Sequence, residues 1–306
     1  MKLFSNKNDK LSSLTSKPFK LEKDIQTLVE NNLDELFNLQ FVRTEISIKN
    51  FRFDTLCFDK ENQSFVVIEY KLGRNLSVID QGYTYLSILL NNKSDFILEY
   101  NETCGGNLKR EDVDWTQSRV IFISTNYTVY QKHSVNFTDV PFELWEIRQF
   151  ENNLIGISQH KNDSEESISK ISNNPNDIVS KVSKQVKVYD EKFHLNSSKS
   201  RKGWINELYF SMKERILNLG EVEIKYSGQC VSFRKNTPFV DLIMYGNGIS
   251  TVINMKEGEL NDPDKKCKCY NGKKHWGNGD YNILVNQDTD LDYCLFLIKQ
   301  SYNKQV

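Results

Sequence analysis

Two apolar strands that carry charges constrain this chain more than any other feature of its sequence. They lie in FRFDTLCFDKENQSFVVIEYKLG, residues 51–73, where the second strand runs through Phe65–Ile68 and then admits Glu69 and Lys71. Unpaired charges in a protein core cost several kcal/mol, so folding alone disfavours them there. Successive side chains of a strand point to opposite faces, which places Glu69 and Lys71 on one face and Tyr70 on the other.

The turn between these strands predicts which residues face each other. If the loop is the four residues 60–63, Asp59 pairs with Ser64, and the same register places Asp54 directly opposite Glu69; a loop one residue longer would break this pairing. Like charges directly opposite one another destabilise a sheet. A bound cation between the two carboxylates would reverse that effect.

The donor types at this position favour a hard divalent cation. Carboxylates of Asp54 and Glu69, with a neighbouring backbone carbonyl such as that of Tyr70, are the oxygen ligands that Mg²⁺ or Mn²⁺ selects. Lys71 lies on the same face and could position or help to deprotonate an attacking water. The hairpin therefore predicts a metal-assisted phosphodiesterase site. The alternative is a salt-bridged strand whose charges lie at an exposed sheet edge.

The rest of the first half alternates between helical and strand patterns. Apolar spacing predicts helices over residues 21–37 and 77–92, and β-branched or alternating runs predict strands. The predicted strands are 41–48, DFILEY (95–100), SRVIFIST (118–125), and a hairpin within 141–159 that turns at Asn152 and Asn153. Residues 1–17 are polar, and we expect them to be loose.

The segment DQGYTYLSILL adds a second signal, because Gln81 and Tyr85 lie four residues apart on one helical face, about ten residues after Lys71. Together with Asp54 and the Glu-x-Lys of the hairpin, this pair resembles the PD-(D/E)xK nuclease superfamily and its RecB-like branch. The closest resemblance is to NucS-like endonuclease domains, over about residues 20–158. It implies an α/β restriction-endonuclease-like core, with a mixed central sheet flanked by helices.

The resemblance also implies roles for the residues that carry it. Asp54 and Glu69 become metal ligands, Lys71 becomes the catalytic lysine, and Gln81 and Tyr85 line the site. On the residues alone, Tyr85 is equally consistent with core packing.

These families usually add a glutamate from the first helix. We choose Glu22 because of its distance from Asp54 along the chain, and Glu30 is the alternative. Both glutamates are also consistent with ordinary charges near a helix N-terminus or on a solvated face. The literal Pro-Asp of the superfamily name is absent, since Phe53 precedes Asp54.

The sequence divides into two domains separated by a polar segment. We predict a nuclease-like domain over residues 1–160, a linker rich in Ser, Asn, Lys and Glu over 161–202, and a second α+β domain over 203–306. The predicted elements of the second domain are a helix in WINELYFSMKERILNLG, strands in FVDLIMYG, GISTVINM and DYNILV, and a final helix over 290–301.

A cationic loop in the second domain predicts contact with nucleic acid. Within residues 255–281, five lysines crowd positions 265–274 beside a histidine and a tryptophan, a combination that suits phosphate contact and base stacking. These residues are Lys265, Lys266, Lys268, Lys273, Lys274, His275 and Trp276. A solvated turn whose tryptophan packs on its own domain explains the same pattern. Through GELNDP, HWGNGDY and LIKQSY, residues 203–304 resemble an uncharacterised domain found attached to such nuclease domains.

Composition indicates the cellular compartment of the protein better than it indicates the reaction. The 306 residues have a formal net charge of −1, so the overall charge of the chain does not indicate a nucleic-acid-binding protein. Six scattered cysteines in so large a chain favour a reducing compartment over a disulfide framework. Cys267 and Cys269 with His275 lack a fourth ligand and the usual zinc spacing. Because no leader-like segment and no run of about 18 apolar residues occurs, we expect a cytoplasmic protein without membrane contact.

These observations favour a Mg²⁺- or Mn²⁺-dependent endonuclease acting on DNA. A nuclease fold that binds nucleic acid or regulates without turnover is the second interpretation, and a protein-interaction scaffold is the third. The sequence leaves open whether the chain acts as a homodimer.

Overall fold

The computed structural model describes residues 2–73, 78–161, 164, 166–168, 177–196, 203–270 and 277–305. It divides into two compact units, Met1–Val188 and Tyr189–Val306. The predicted linker therefore contributes to both units, and part of it is packed. Val182 and Val186 are 1% and 4% exposed in the core of the first unit, because their apolar side chains cover a helix of that unit.

The first unit combines strands and helices along its whole length. Its strands are β1 (Phe4–Lys7), β2 (Lys10–Ser13), β3 (Ser16–Lys17), β4 (Gln40–Ile48), β5 (Phe51–Asp59), β6 (Ser64–Lys71), β7 (Arg119–Ser124), β8 (Phe142–Phe150) and β9 (Ile155–His160). Its helices are α1 (Glu22–Glu30), α2 (Leu33–Phe37), α3 (Val78–Asn91), α4 (Lys93–Cys104), α5 (Val129–Ser134) and α6 (Ile178–Ser183).

A mixed sheet forms the centre of this unit, in the strand order β3-β8-β7-β6-β5-β4, with β9 also paired to β8. Strands β4, β5 and β6 form an antiparallel meander, whereas β6, β7 and β8 are parallel. Helices cover both faces, as an α/β fold requires. The predicted fold class, a mixed central sheet flanked by helices with a second α+β domain, is confirmed.

Strand β6 lies in the middle of the sheet and is buried on both faces. Phe65 and Val67 pack in one core with α3 and α4, while Val66, Ile68 and Tyr70 pack in another with α1 and α2. Burial on both faces explains the continuous apolar run of this strand. A central strand also rules out the alternative in which its charges lie at an exposed edge.

Three local predictions differ from the structure. DFILEY lies in helix α4, where Phe96 is buried and Leu98 is exposed; a short apolar run does not by itself distinguish a strand from a helix. The helix predicted over 21–37 is divided into α1 and α2, and Asn38 at φ 53° ends α2. The N-terminal residues form the hairpin of β1 and β2 with exposed side chains.

The second unit is an antiparallel sheet with helices packed on one face. Its elements are α7 (Glu191–Asn196), α8 (Gly203–Leu217), β10 (Glu223–Tyr226), β11 (Val231–Arg234), β12 (Pro238–Tyr245), β13 (Gly248–Ile253), β14 (Lys268–Cys269), β15 (Tyr281–Val285) and α9 (Leu291–Lys304). The strand order is β10-β11-β12-β13-β15-β14. Val240 and Leu242 of β12 pack against Tyr209 of α8 and Leu297 of α9. The predicted helices and strands of this half are all found.

Among the helices of the described residues, none has the length and apolar character needed to cross a membrane.

Candidate active site at the end of the central sheet

Glu69 is the centre of a buried polar cluster on the face of the sheet covered by α3. Its side chain is almost fully buried, with 3% of the residue exposed. Oε1 accepts hydrogen bonds from Lys71 Nζ and from Gln81 Nε2, each at 2.6 Å, and Oε2 accepts one from the Tyr85 hydroxyl at 3.0 Å. The structure thus brings together four of the residues that the sequence singled out.

Two short-range periodicities produce this cluster. Residues two apart on a strand share a face, so Glu69 and Lys71 both point toward α3. Residues four apart on a helix also share a face, and Gln81 Nε2 donates to the Tyr85 hydroxyl at 2.7 Å.

Tyr85 has both of the roles that the sequence left open. Its ring packs on Phe53, with centroids 4.7 Å apart, and its hydroxyl reaches Glu69. Burial, followed by the charge of Glu69, raises the pKa of Tyr85. The hydroxyl therefore keeps its proton and remains a donor to the carboxylate.

Asp54 lies beside this cluster on β5 and is half-buried. Its Oδ2 accepts a hydrogen bond from the Tyr70 backbone N–H at 3.1 Å. Burial, and then the charge of Glu69, raises the pKa of Asp54 from 3.8 to about 6. A carboxylate whose charge is disfavoured in this way by a neighbouring carboxylate favours a cation at the same place.

The predicted register of the hairpin is the observed one, from Asp59–Ser64 to Thr55–Ile68. The ladder ends at that pair in the described structure, one residue before Asp54 and Glu69. The Asp54 carboxylate instead accepts from the main chain of β6, beyond Glu69.

The two candidate glutamates of α1 lie in different places. Glu22 is exposed, accepts from the Leu72 N–H at 2.7 Å just after β6, and its charge contributes to the raised pKa of Asp54. Glu30 accepts from Thr55 Oγ1 at 2.6 Å, on the face covered by α1. Glu22 is therefore the one beside the cluster.

Sequence reasoning missed Gln26, which lies one helical turn after Glu22 and one before Glu30. It is 5% exposed, and its Nε2 donates to the Asp54 carbonyl at 2.9 Å. The available signal was the spacing. Glu22, Gln26 and Glu30 follow one another at intervals of four residues, so they share one face of the helix.

The residues that could hold a metal are Asp54, Glu69 and the Tyr70 carbonyl. In the described part of the chain, no group of three or more His, Cys, Asp or Glu side chains has the geometry to hold a metal ion by itself. Two carboxylates and a carbonyl are a partial set of hard oxygen donors, which suits Mg²⁺ because this ion usually keeps several waters. The donor types therefore fit the predicted ion.

In the second unit, the predicted nucleic-acid-binding residues are described only in part. Lys265, Lys266 and Lys268 are exposed, and Lys266 Nζ lies 3.3 Å from Asp264 and 4.4 Å from the ring centroid of Tyr293. The remaining members, Lys273, Lys274, His275 and Trp276, lie outside the described residues.

Solved structures align with less than half of this chain. The EndoMS–dsDNA2 complex aligns over 41% of this chain and 46% of its own at 17% identity and a TM-score of 0.27. A repair endonuclease from Pyrococcus abyssi aligns over 44% and 60% at 15% identity and 0.23. SfsA from Pyrococcus furiosus, in complex with Ca²⁺, aligns over 49% and 75% at 12% identity and 0.25. This chain thus spans less than two thirds of the first two, and scores this low support no statement about activity.

Sequence comparison covers far more of the chain. Residues 197–305 match the family model described as "Domain of unknown function (DUF5655)". An uncharacterised protein of Haemophilus influenzae is 44% identical over 303 residues, which is 98% of this chain and 99% of that protein. The chain therefore belongs to the same family as this Haemophilus influenzae protein.

Proposed function

We propose that this chain is a metal-dependent endonuclease that hydrolyses phosphodiester bonds in DNA. The observation that carries the proposal is the cluster around Glu69. A central strand holds a buried carboxylate bonded to a lysine, a glutamine and a tyrosine, with Asp54 beside it. Lys71 offsets the charge of Glu69, but Asp54 adds a second, partly buried carboxylate beside it, which is costly for folding unless an ion binds there.

In this proposal Asp54, Glu69 and the Tyr70 carbonyl hold Mg²⁺ or Mn²⁺. When bound, the ion lowers the pKa of an attacking water and offsets charge on the phosphate. The bonds from Gln81 and Tyr85 fix the orientation of the Glu69 carboxylate. Oε1 accepts two hydrogen bonds, from Lys71 and Gln81, whereas Oε2 accepts one, from Tyr85, and so keeps a lone pair for an ion.

Lys71 is the cation of the site that belongs to the chain itself. Its ammonium group lies 2.6 Å from Glu69 Oε1, and its side chain is 17% exposed. It can therefore reach a phosphate oxygen or a water while one of its hydrogens stays on Glu69, because an ammonium group has three donors.

A cleavage assay tests this proposal. Purified protein would be incubated with single-stranded, duplex, forked and mismatched DNA in Mg²⁺, Mn²⁺ or EDTA, beside Glu69→Gln. Glu99→Gln is the matched control, since Glu99 pairs with Arg43 on the surface of the same unit. We expect metal-dependent cleavage that is lost in Glu69→Gln and retained in Glu99→Gln.

Two outcomes would contradict the proposal. Cleavage that survives in folded Glu69→Gln, or in EDTA, would remove the metal site from the reaction. Binding of DNA without cleavage, equal in wild type and Glu69→Gln, would support the second interpretation, a nuclease fold that binds without turnover.

We further propose that the second unit contributes to DNA binding through its exposed lysines. Lys266 and Lys268 line a groove of ≈ 420 Å³, whose other charged residues are Asp288 and Asp290. DNA binding would be measured at several salt concentrations, and the logarithm of the binding constant plotted against the logarithm of the salt concentration. The double variant Lys266→Gln and Lys268→Gln should make this slope shallower by about one unit for each phosphate that these lysines neutralise. The same change at exposed Lys299 should leave the slope unaltered, and equal slopes for both would contradict this role.

A further inference from the structure

Asp54 lies at a break in the central sheet. Its neighbours Phe53 and Thr55 both pair with β4, but the register skips Asp54 and the residue across from it, Glu45. Glu45 lies within β4 and has φ 48°, a left-handed conformation that is rare in a strand. The ladder with β6 begins only at Thr55, so neither described ladder includes Asp54.

A side chain of α1 binds the main chain at this break. Gln26 Nε2 donates to the Asp54 carbonyl at 2.9 Å and lies 3.0 Å from Thr44 Oγ1 on β4. A buried carbonyl without a hydrogen-bond partner is costly. Here the partner is a glutamine of α1, the helix on the face of the sheet opposite to α3. Gln26 therefore connects β5 and β4 at a position where their ladder lacks a pair.

Glu30 holds this glutamine and the residue after Asp54 at the same time. One oxygen, Oε1, accepts from Gln26 Nε2 at 2.9 Å and from Thr55 Oγ1 at 2.6 Å. The helix that presents both side chains is firmly packed, since its Ile25 is fully buried. The Asp54–Thr55 segment is thus bound at two adjacent points by one rigid element.

The carboxylate of Asp54 is bound separately, since it accepts from the Tyr70 N–H of β6. We propose that Gln26 is a positioning residue, which, held by Glu30, fixes the main chain of Asp54 so that its carboxylate stays beside Glu69. This inference rests on the proposed function of the site. Supporting groups of this kind typically change metal affinity or activity by about 10- to 100-fold when removed.

The test compares two substitutions on the same helix. Gln26→Met keeps the length of the side chain and removes its hydrogen bonds, while Val29→Ala removes buried apolar packing and leaves the Asp54 carbonyl bound. The first measurement is the hydrogen-exchange rate of the Tyr70 amide relative to that of the Ile68 amide, and it requires neither a bound metal nor cleavage of DNA. The second is the affinity for Mn²⁺ by calorimetry, and the third is kcat and KM for DNA.

We expect Gln26→Met to accelerate Tyr70 exchange relative to Ile68, to weaken Mn²⁺ binding by about tenfold or more, and to lower kcat with little change in KM. Val29→Ala should change none of these selectively. If the two variants behave alike, the positioning role is overturned and Gln26 only satisfies a buried carbonyl. If wild type neither binds Mn²⁺ nor cleaves DNA, the proposed function fails, and Tyr70 exchange still decides whether Gln26 orders Asp54.

Discussion

The carboxylate of Asp54 should destabilise the fold that contains it, and its replacement by asparagine should reveal this as a pH-dependent gain in stability. Burial and the neighbouring Glu69 raise the pKa of Asp54 from 3.8 to about 6. The folded state therefore holds the Asp54 proton more tightly than the unfolded state, and stability is lost as pH rises through about 6. A difference of about two units corresponds to about 3 kcal/mol, which is the upper limit for the gain in Asp54→Asn.

The measurement is urea unfolding of wild type and Asp54→Asn at about pH 4 and pH 7.5, followed by hydrogen exchange of first-unit amides because the chain has two units. We expect the free energies of unfolding to be similar at the lower pH and to favour the variant at the higher pH. Cleavage should be abolished in the same variant.

Asp59 provides a control of opposite sign on the same strand. It is 1% exposed, but Arg119 Nη1 lies 2.9 Å from its carboxylate. Asp59→Asn should therefore lower the free energy of unfolding at neutral pH by up to about 3–5 kcal/mol, the cost of breaking a buried ion pair, with Glu143 remaining as the second partner of Arg119. The reasoning about Asp54 is refuted if Asp54→Asn is no more stable than wild type at about pH 7.5, or if its gain is equal at both pH values.

Two further substitutions test the contacts that α3 makes, one a hydrogen bond to Glu69 and the other close packing against Phe142. Tyr85→Phe keeps the aromatic ring and removes the hydroxyl that donates to Glu69; we expect kcat to fall about 10- to 100-fold, and unchanged kcat would contradict the orienting role. Gly82→Ala places a Cβ 2.6 Å from the Phe142 ring and should lower the free energy of unfolding by about 1–3 kcal/mol. Gly203→Ala, with no neighbouring atom within 4 Å, is its control, and equal thermal midpoints for the two would show that Gly82 is not packed as described.

Much of the candidate site could be predicted from short stretches of sequence. The pairing of Glu69 with Lys71 follows from the two-residue period of a strand, and that of Gln81 with Tyr85 from the helical repeat. The hairpin register followed from a four-residue turn and is observed at Asp59–Ser64. In each case the geometry depends on neighbours in the chain, which the sequence displays directly.

Errors arose where local pattern was ambiguous. The run DFILEY is compatible with a buried strand and with a helix, and only its packing in α4 decides between them. Similarly, Val182 and Val186 stand in a polar stretch, and their burial depends on the core to which they return.

The sequence by itself determined that Glu69 and Lys71 share one face of β6 and that Gln81 and Tyr85 share one face of α3, because periods of two and 3.6 residues need no distant partner. Only the tertiary structure decided which glutamate of α1 lies beside Asp54 and that Gln26 binds its carbonyl. These contacts join residues 28 to 50 positions apart, and they depend on how α1 packs across the sheet. The raised pKa of Asp54 has the same origin, since burial and the charge of Glu69 exist only once the strands are paired.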